Sequence, residues 1–144
     1  MGYPRSAFDL LLYTGYDHEM PGTTYDLSGV RVFECTVEGQ QLHHEQDAIT
    51  IIGEAMAQAA ELIVIPIARL HSDFFQLRTQ LAGGILQKFV NYRLRVVIVG
   101  DLLELASTHP ALRSFIYESN QGDQLWFLSD MDELRKRLTQ QSGR

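Results

Sequence analysis

Apolar positions in this chain follow two rhythms, and the change from one to the other marks the elements. Residues 30–38 (VRVFECTVE) are rich in β-branched side chains and lie between Gly29 and Gly39, which predicts a strand. Cys35 alternates there with Phe33 and Val37 and is expected to be a small buried hydrophobe. Over residues 45–60 the period lengthens. Ala48, Ile51, Ile52, Ala55, Met56 and Ala59 fall on one face of a helix, with Glu45 and Asp47 in its first turn at the positive end of the dipole. The continuous apolar run at 62–67 (LIVIPI) predicts a strand covered on both faces. A second helix is expected over 72–92 and a further strand over 94–99 (LRVVIV), stopped by Gly100-Asp101. A third helix is expected over 110–119, with Pro110 in its first turn, then a strand at 124–128 and a last helix at 130–138.

Strand and helix therefore alternate. Strands roughly 30 residues apart need crossover connections, so the pattern predicts a single α/β domain with a mainly parallel, four- to five-stranded sheet and helices packed on it. Ligands of such sheets bind beyond the carboxyl ends of the strands, here near Glu38, Pro66, Gly100-Asp101 and Ser129-Asp130. Residues 1–28 read differently. Tyr3, Tyr13, Tyr16 and Tyr25 are scattered among glycines and prolines with no sustained period, so 1–28 is expected to be an N-terminal arm and 29–144 the domain.

Composition narrows the function classes. A chain of 144 residues, 45% hydrophobic and 21% charged, fits one folded domain. Its formal charge of -6 disfavours a nucleic-acid partner, because phosphate backbones repel a net anion. One cysteine excludes an intrachain disulfide and a cysteine-cluster zinc site. No run of about 18 apolar residues is present, so no membrane partner is expected. The opening MGYPRSAFDLLLY makes a poor secretory signal, which points to a cytoplasmic location.

Candidate chemistry centres on the second predicted helix. At about 100° per residue, Arg78 falls within the stripe of Phe74, Leu81, Ala82, Ile85 and Phe89. An arginine on a core-facing stripe needs a carboxylate, Asp101 or Glu118, or a bound anion. The candidate ligand-binding set is Arg78, Thr79, Tyr92, Asp101, Tyr117, Glu118 and Asn120, and the candidate interaction surface is Lys88, Asn91 and Arg93. Two glycines inside the helix are costly. Gly83 is attributed to a close backbone approach, and Gly84 is left as a local break or a tolerated change. His43-His44-Glu45 and Asp17-His18-Glu19 contain ligand types, yet adjacent residues rarely aim at one ion, so no metal site is expected. No nucleophile elbow, dinucleotide fingerprint or phosphate-binding loop occurs, and no cofactor is expected.

The stretch DFFQLRTQLAGGILQKFVNYRLRVVIVGD (73–101) resembles the signature of an uncharacterised bacterial family, a domain of unknown function. EQDAI (45–49), FIYESNQG (115–122) and QLWFLSDMDEL (124–134) extend the resemblance over roughly 30–138. The chain departs from that pattern at Gln80, where the family has Gly, and at Gly84, where it has Glu. The resemblance implies a fold and candidate positions, not a chemistry. The order of elements also resembles the STAS domain of anti-sigma-factor antagonists, in which a loop before a helix carries a phosphorylatable Ser or Thr. Only Thr79 matches that place, and the Asp-Ser-x-Gly pattern is missing. The function expected is a non-enzymatic regulatory or protein-interaction module, with another protein or a second copy in a homodimer as partner. The alternative is a binding protein for a small anionic ligand, or an unassigned enzyme, with a pocket around Arg78.

Overall fold

The protein is described by a computed structural model, which covers residues 22–76 and 80–142. Five strands follow one another in space as they do in sequence: β1 (Gly22–Leu27), β2 (Val30–Cys35), β3 (Leu62–Pro66), β4 (Arg95–Val99) and β5 (Leu125–Leu128). Between and after them run α1 (Glu45–Ala57), α2 (Leu81–Asn91), α3 (Leu102–Thr108), α4 (Leu112–Gln121) and α5 (Met131–Ser142). Short 3-10 turns occupy Ile67–Arg69 and Ser72–Phe75.

The single α/β domain holds, but the sheet is mixed. Pairs β2–β3, β3–β4 and β4–β5 are parallel, whereas β1 runs antiparallel to β2. The strand expected to open the domain is thus the second of a hairpin, and residues 22–27 leave the expected arm to become sheet. The reason is local. Ser28 and Gly29 both adopt positive φ (50° and 84°), and Leu27 faces Val30 across them, the geometry of a two-residue hairpin whose twist suits its strands. The Tyr25 hydroxyl donates to Glu34 Oε1 at 2.6 Å across this hairpin. Residues 1–21 of the expected arm lie outside the described residues.

The apolar runs of β3, β4 and β5 conceal a strict alternation. Ile63, Ile65, Val96, Ile98, Leu125 and Phe127 face one core, which they share with Ile51, Ile52 and Ala55 of α1, Ile85 and Phe89 of α2, Leu105 of α3 and Leu112 of α4. Leu62, Val64, Val97, Trp126 and Leu128 face the other, filled by Leu134 and Leu138 of α5. Each central strand therefore buries both faces, which is why its sequence reads as continuous apolar residues.

The second helix is shorter than expected. The chain forms a 3-10 turn at Ser72–Phe75, and α2 starts only at Leu81, after Gln80 in a left-handed conformation (φ 61°). A wheel drawn from Phe74 through Arg78 therefore spans a break. Ala82, Ile85 and Phe89 keep their predicted core face because they lie beyond it. The sequence pattern also missed α3. Asp101 caps it by accepting the Glu104 amide at 3.0 Å, and only Leu105 is buried, too little apolar periodicity to detect. At the two glycines the expectation inverts. A Cβ at Gly83 would meet nothing within 4 Å, whereas one at Gly84 would lie 2.7 Å from Glu45 Oε2. Gly84 is the close approach, where α2 crosses the first turn of α1.

Candidate functional site at the carboxyl ends of β3 and β4

Just beyond the carboxyl ends of β3 and β4 lies a cleft of about 320 Å³, in the region where an α/β sheet of this kind exposes its binding crevice. Ile67, Leu70, Phe75 and Leu105 give it an apolar lining, and Gln41, Ser72, Asp101, Glu104, Thr108 and His109 provide the polar groups. Two short segments position these side chains. The 3-10 turn Ser72–Phe75 buries Phe74 and Phe75, which holds the turn against the core. The Asp101 cap starts α3 over the end of β4, so that Asp101, Glu104, Leu105 and Thr108 share the side facing the cleft. The His109 ring lies 5.6 Å from that of Phe75.

Of the candidate ligand residues, Asp101 stands at this cleft. Arg78 and Thr79 lie outside the described residues. Tyr92 belongs to the opposite end of the sheet, where it lines a groove of about 440 Å³ with Met56, Glu61, Arg93 and Arg95. The five-residue β4, at about 3.3 Å per residue, puts about 16 Å between the two ends, so Tyr92 and Asp101 do not share a small ligand. Tyr117 and Glu118 are exposed on α4. Asn120 is occupied by the fold: its Nδ2 donates to the Phe127 carbonyl at 3.1 Å and its Oδ1 accepts the Phe127 amide at 2.7 Å. Its side chain thus occupies the outer edge of β5 as a neighbouring strand would.

The expected interaction surface also resolves into local contacts. Lys88 Nζ lies 3.4 Å from Glu45 Oε1, and Asn91 Oδ1 accepts from Gln87 Nε2 one turn earlier at 2.9 Å. Arg93 has φ 59° in the turn that ends α2, where the Arg93 amide donates to Val90 and the Leu94 amide to Phe89. Those two bonds close a Schellman motif with arginine in the position glycine usually takes.

Two features escaped the sequence reading. The first is Arg69, fully buried, whose guanidinium donates to the carbonyls of Gln40 (2.9 Å), Thr36 (2.9 Å) and Glu38 (3.1 Å). It props up the loop after β2, and Gly39 (φ 131°) fits closely over it, since a Cβ there would lie 3.0 Å from Arg69 Cζ. A lone arginine within the apolar run 62–70 was the available signal. The second is a histidine cluster. Leu42 and Leu70 form a parallel bridge, with the Leu42 amide on the Arg69 carbonyl and the His71 amide on the Leu42 carbonyl. This bridge stacks the rings of His43 and His71, 3.7 Å apart, beside Asp73. Adjacency in sequence pointed to the wrong pairing: His43 meets His71, 28 positions away, as well as its neighbour His44.

Beneath this loop, burial pushes the Cys35 thiol up to about 12, with the Arg69 guanidinium opposing and Glu54 and Glu34 adding to the shift. A thiol held in that state is a packing group and no nucleophile at neutral pH. No helix among the described residues is long and apolar enough to cross a membrane.

Comparison with curated proteins and with solved structures returns no match. A family model does match, over residues 27–138, a span from the end of β1 into α5 that takes in the cleft, the buried arginine and the histidine cluster. The chain belongs to the family described as Domain of unknown function (DUF4180).

Proposed function

We propose that this domain is a non-catalytic binding module that receives a protein partner at the cleft beyond β3 and β4. The make-up of that cleft carries the reading: an apolar lining suited to an inserted side chain, flanked by the Asp101 and Glu104 carboxylates. The Thr108 hydroxyl donates to the Glu104 carbonyl, and among the described residues neither it nor Ser72 is hydrogen-bonded to His109. A nucleophile activated by a neighbouring base needs such a bond. Acidic groups beside an apolar pocket favour a partner segment that carries a basic residue next to an apolar one, as does the formal charge of -6.

The element order supports a STAS-like regulatory role within that reading. A hairpin is followed by parallel strands joined through helices. The small-molecule reading draws on the cleft volume, which reaches the lower end of the range of small-ligand sites, about 300–1,000 Å³. The carboxylates around the cleft would then select a cationic or neutral polar molecule over an anion.

Thr108→Trp fills the cleft from an exposed position on α3. Affinity capture with the wild-type chain and this variant is expected to yield a partner that the wild type retains and the variant loses. Native mass spectrometry of the purified protein, with a denatured intact mass on the same sample, separates the two readings. A discrete non-covalent mass excess would replace the protein partner with a small ligand. Turnover of a defined substrate by the purified chain, lost in Thr108→Trp, would overturn the non-catalytic reading.

A further inference from the structure

We infer that His43, His71 and Asp73 form a binding site for one borderline divalent transition-metal ion of the Zn(II) class, beside the cleft and independent of what the cleft binds. His43 Nε2 lies 3.0 Å from Asp73 Oδ2, and His71 Nδ1 lies 3.6 Å from the same oxygen. One donor atom from each of the three residues falls within 4.8 Å of the others. Metal–ligand bonds of about 2.0–2.1 Å in a tetrahedral shell put neighbouring donors about 3.3 Å apart, and the two separations straddle that spacing. Two imidazoles and a carboxylate are a donor set that holds zinc while leaving a fourth position for water or for a group from a partner.

The mounting is as relevant as the spacing. His43 and His71 follow the two residues of the Leu42–Leu70 bridge, whose backbone bonds bring their segments together, and Asp73 stands in the 3-10 turn anchored by Phe74 and Phe75. A donor set held by paired backbone loses little entropy on binding. The side chains are also reachable: those of His43, His71 and Asp73 are 39%, 33% and 47% exposed, so an ion enters without unfolding. Local charge favours a cation, because the Asp47 carboxylate accepts the His43 and His44 amides, each at 2.9 Å, and so adds a second negative group next to the His43 backbone.

Binding changes the cluster in a defined way. His71 Nδ1 accepts the Asp73 amide at 3.0 Å, and a nitrogen lone pair serves either that proton or a metal. The imidazole planes, 13° from parallel, must also fan apart for both lone pairs to reach one ion. Loading the site therefore exchanges the amide bond for coordination and moves the Asp73 amide resonance.

The test is calorimetric titration of ZnCl2 into the chelator-stripped full chain, followed in parallel by amide and imidazole nitrogen NMR shifts. One equivalent of Zn(II) is expected, with the Asp73 amide and the His43 and His71 ring nitrogens among the signals that move. His43→Gln and Asp73→Asn should each weaken binding by at least about tenfold, while His44→Gln and His109→Gln leave it unchanged. Affinity that survives both ligand substitutions, or that follows a control histidine, would mean adventitious coordination and overturn the assignment. So would the absence of heat and of shifts at millimolar ZnCl2. Should a ligand variant fail to fold by circular dichroism, the wild-type ring-nitrogen shifts decide the matter alone.

Discussion

Asn120 shows how a polar residue that looks functional in a sequence can be committed to the fold. Its amide meets both the N–H and the C=O of Phe127 on the outer edge of β5, groups that would otherwise be left without a partner. Asn120→Ala is expected to destabilise the domain by about 2–3 kcal/mol, from two lost hydrogen bonds and two stranded backbone groups, as read by urea unfolding. Hydrogen exchange at the Phe127 amide should accelerate alongside. Cys35 makes the opposite point, since its chemistry is suppressed by its surroundings. Its thiol titrates at about 12 in the folded chain, mainly through burial, against about 8.5 when unfolded. Between those values the unfolded state has released a proton that the folded state retains, so stability falls as pH rises, by up to about 1.4 kcal/mol per pH unit. Below pH 8 this contribution is constant. Urea unfolding across pH 8–11 should show a steeper loss of stability with pH in the wild type than in Cys35→Ala, which keeps only the contribution of other groups such as the Tyr25 hydroxyl, itself raised by burial and Glu34. A thiol-reactive disulfide reagent at pH 8 should label Cys35 only when urea unfolds the chain.

Elements here are held by a few contacts that join distant segments. α2 crosses α1 at Gly84, next to the Glu45–Lys88 ion pair, while Gly83 faces open space one residue earlier. Gly83→Ala should therefore stabilise the domain by about 1 kcal/mol, the helix-propensity gain. Gly84→Ala should fall short of that gain, because its Cβ displaces the Glu45 carboxylate. Thermal unfolding of the two variants makes the comparison within one helix. The loop after β2 depends on Arg69 in the same way. Its planar fork satisfies three carbonyls at once, which an ammonium group does not reproduce. Arg69→Lys is expected to cost about 2–4 kcal/mol and to open residues 36–40 to limited proteolysis before global unfolding. The hairpin β1–β2 was legible in the Ser28-Gly29 turn, but the partly exposed β1 offers little apolar alternation to prompt the search.

The whole molecule separates its two ends. The carboxyl end of the sheet gathers the cleft, the histidine cluster and the carboxylates of Asp73, Asp101 and Glu104, while Tyr92, Arg93 and Arg95 lie at the amino end. Two of the cations available to a nucleic acid are engaged within the fold. Lys88 is paired with Glu45, and the Arg95 guanidinium lies 4.6 Å from the centre of the Trp126 ring, with burial lowering its pKa. Binding to a fluorescent DNA duplex at low salt is accordingly expected to be negligible. A strong, salt-sensitive signal would show that charge is arranged differently in solution.

The sequence by itself determined the parts whose physics is local. Hydrophobic period marked most of the strands and helices, the continuous apolar runs identified strands buried on both faces, and strand–helix alternation directed the search to the carboxyl ends of the strands, where a cleft lies. Tertiary structure decided what depends on partners far apart along the chain. The antiparallel β1 makes the sheet mixed, the helix expected over 72–92 divides into a 3-10 turn at Ser72–Phe75 and α2 from Leu81, and Gly84 acquired its reason only when α1 was laid against it. The histidine cluster belongs to the same class. His43 and His71 come together through one backbone bridge between Leu42 and Leu70, and no periodicity or spacing along a single segment encodes a contact between two.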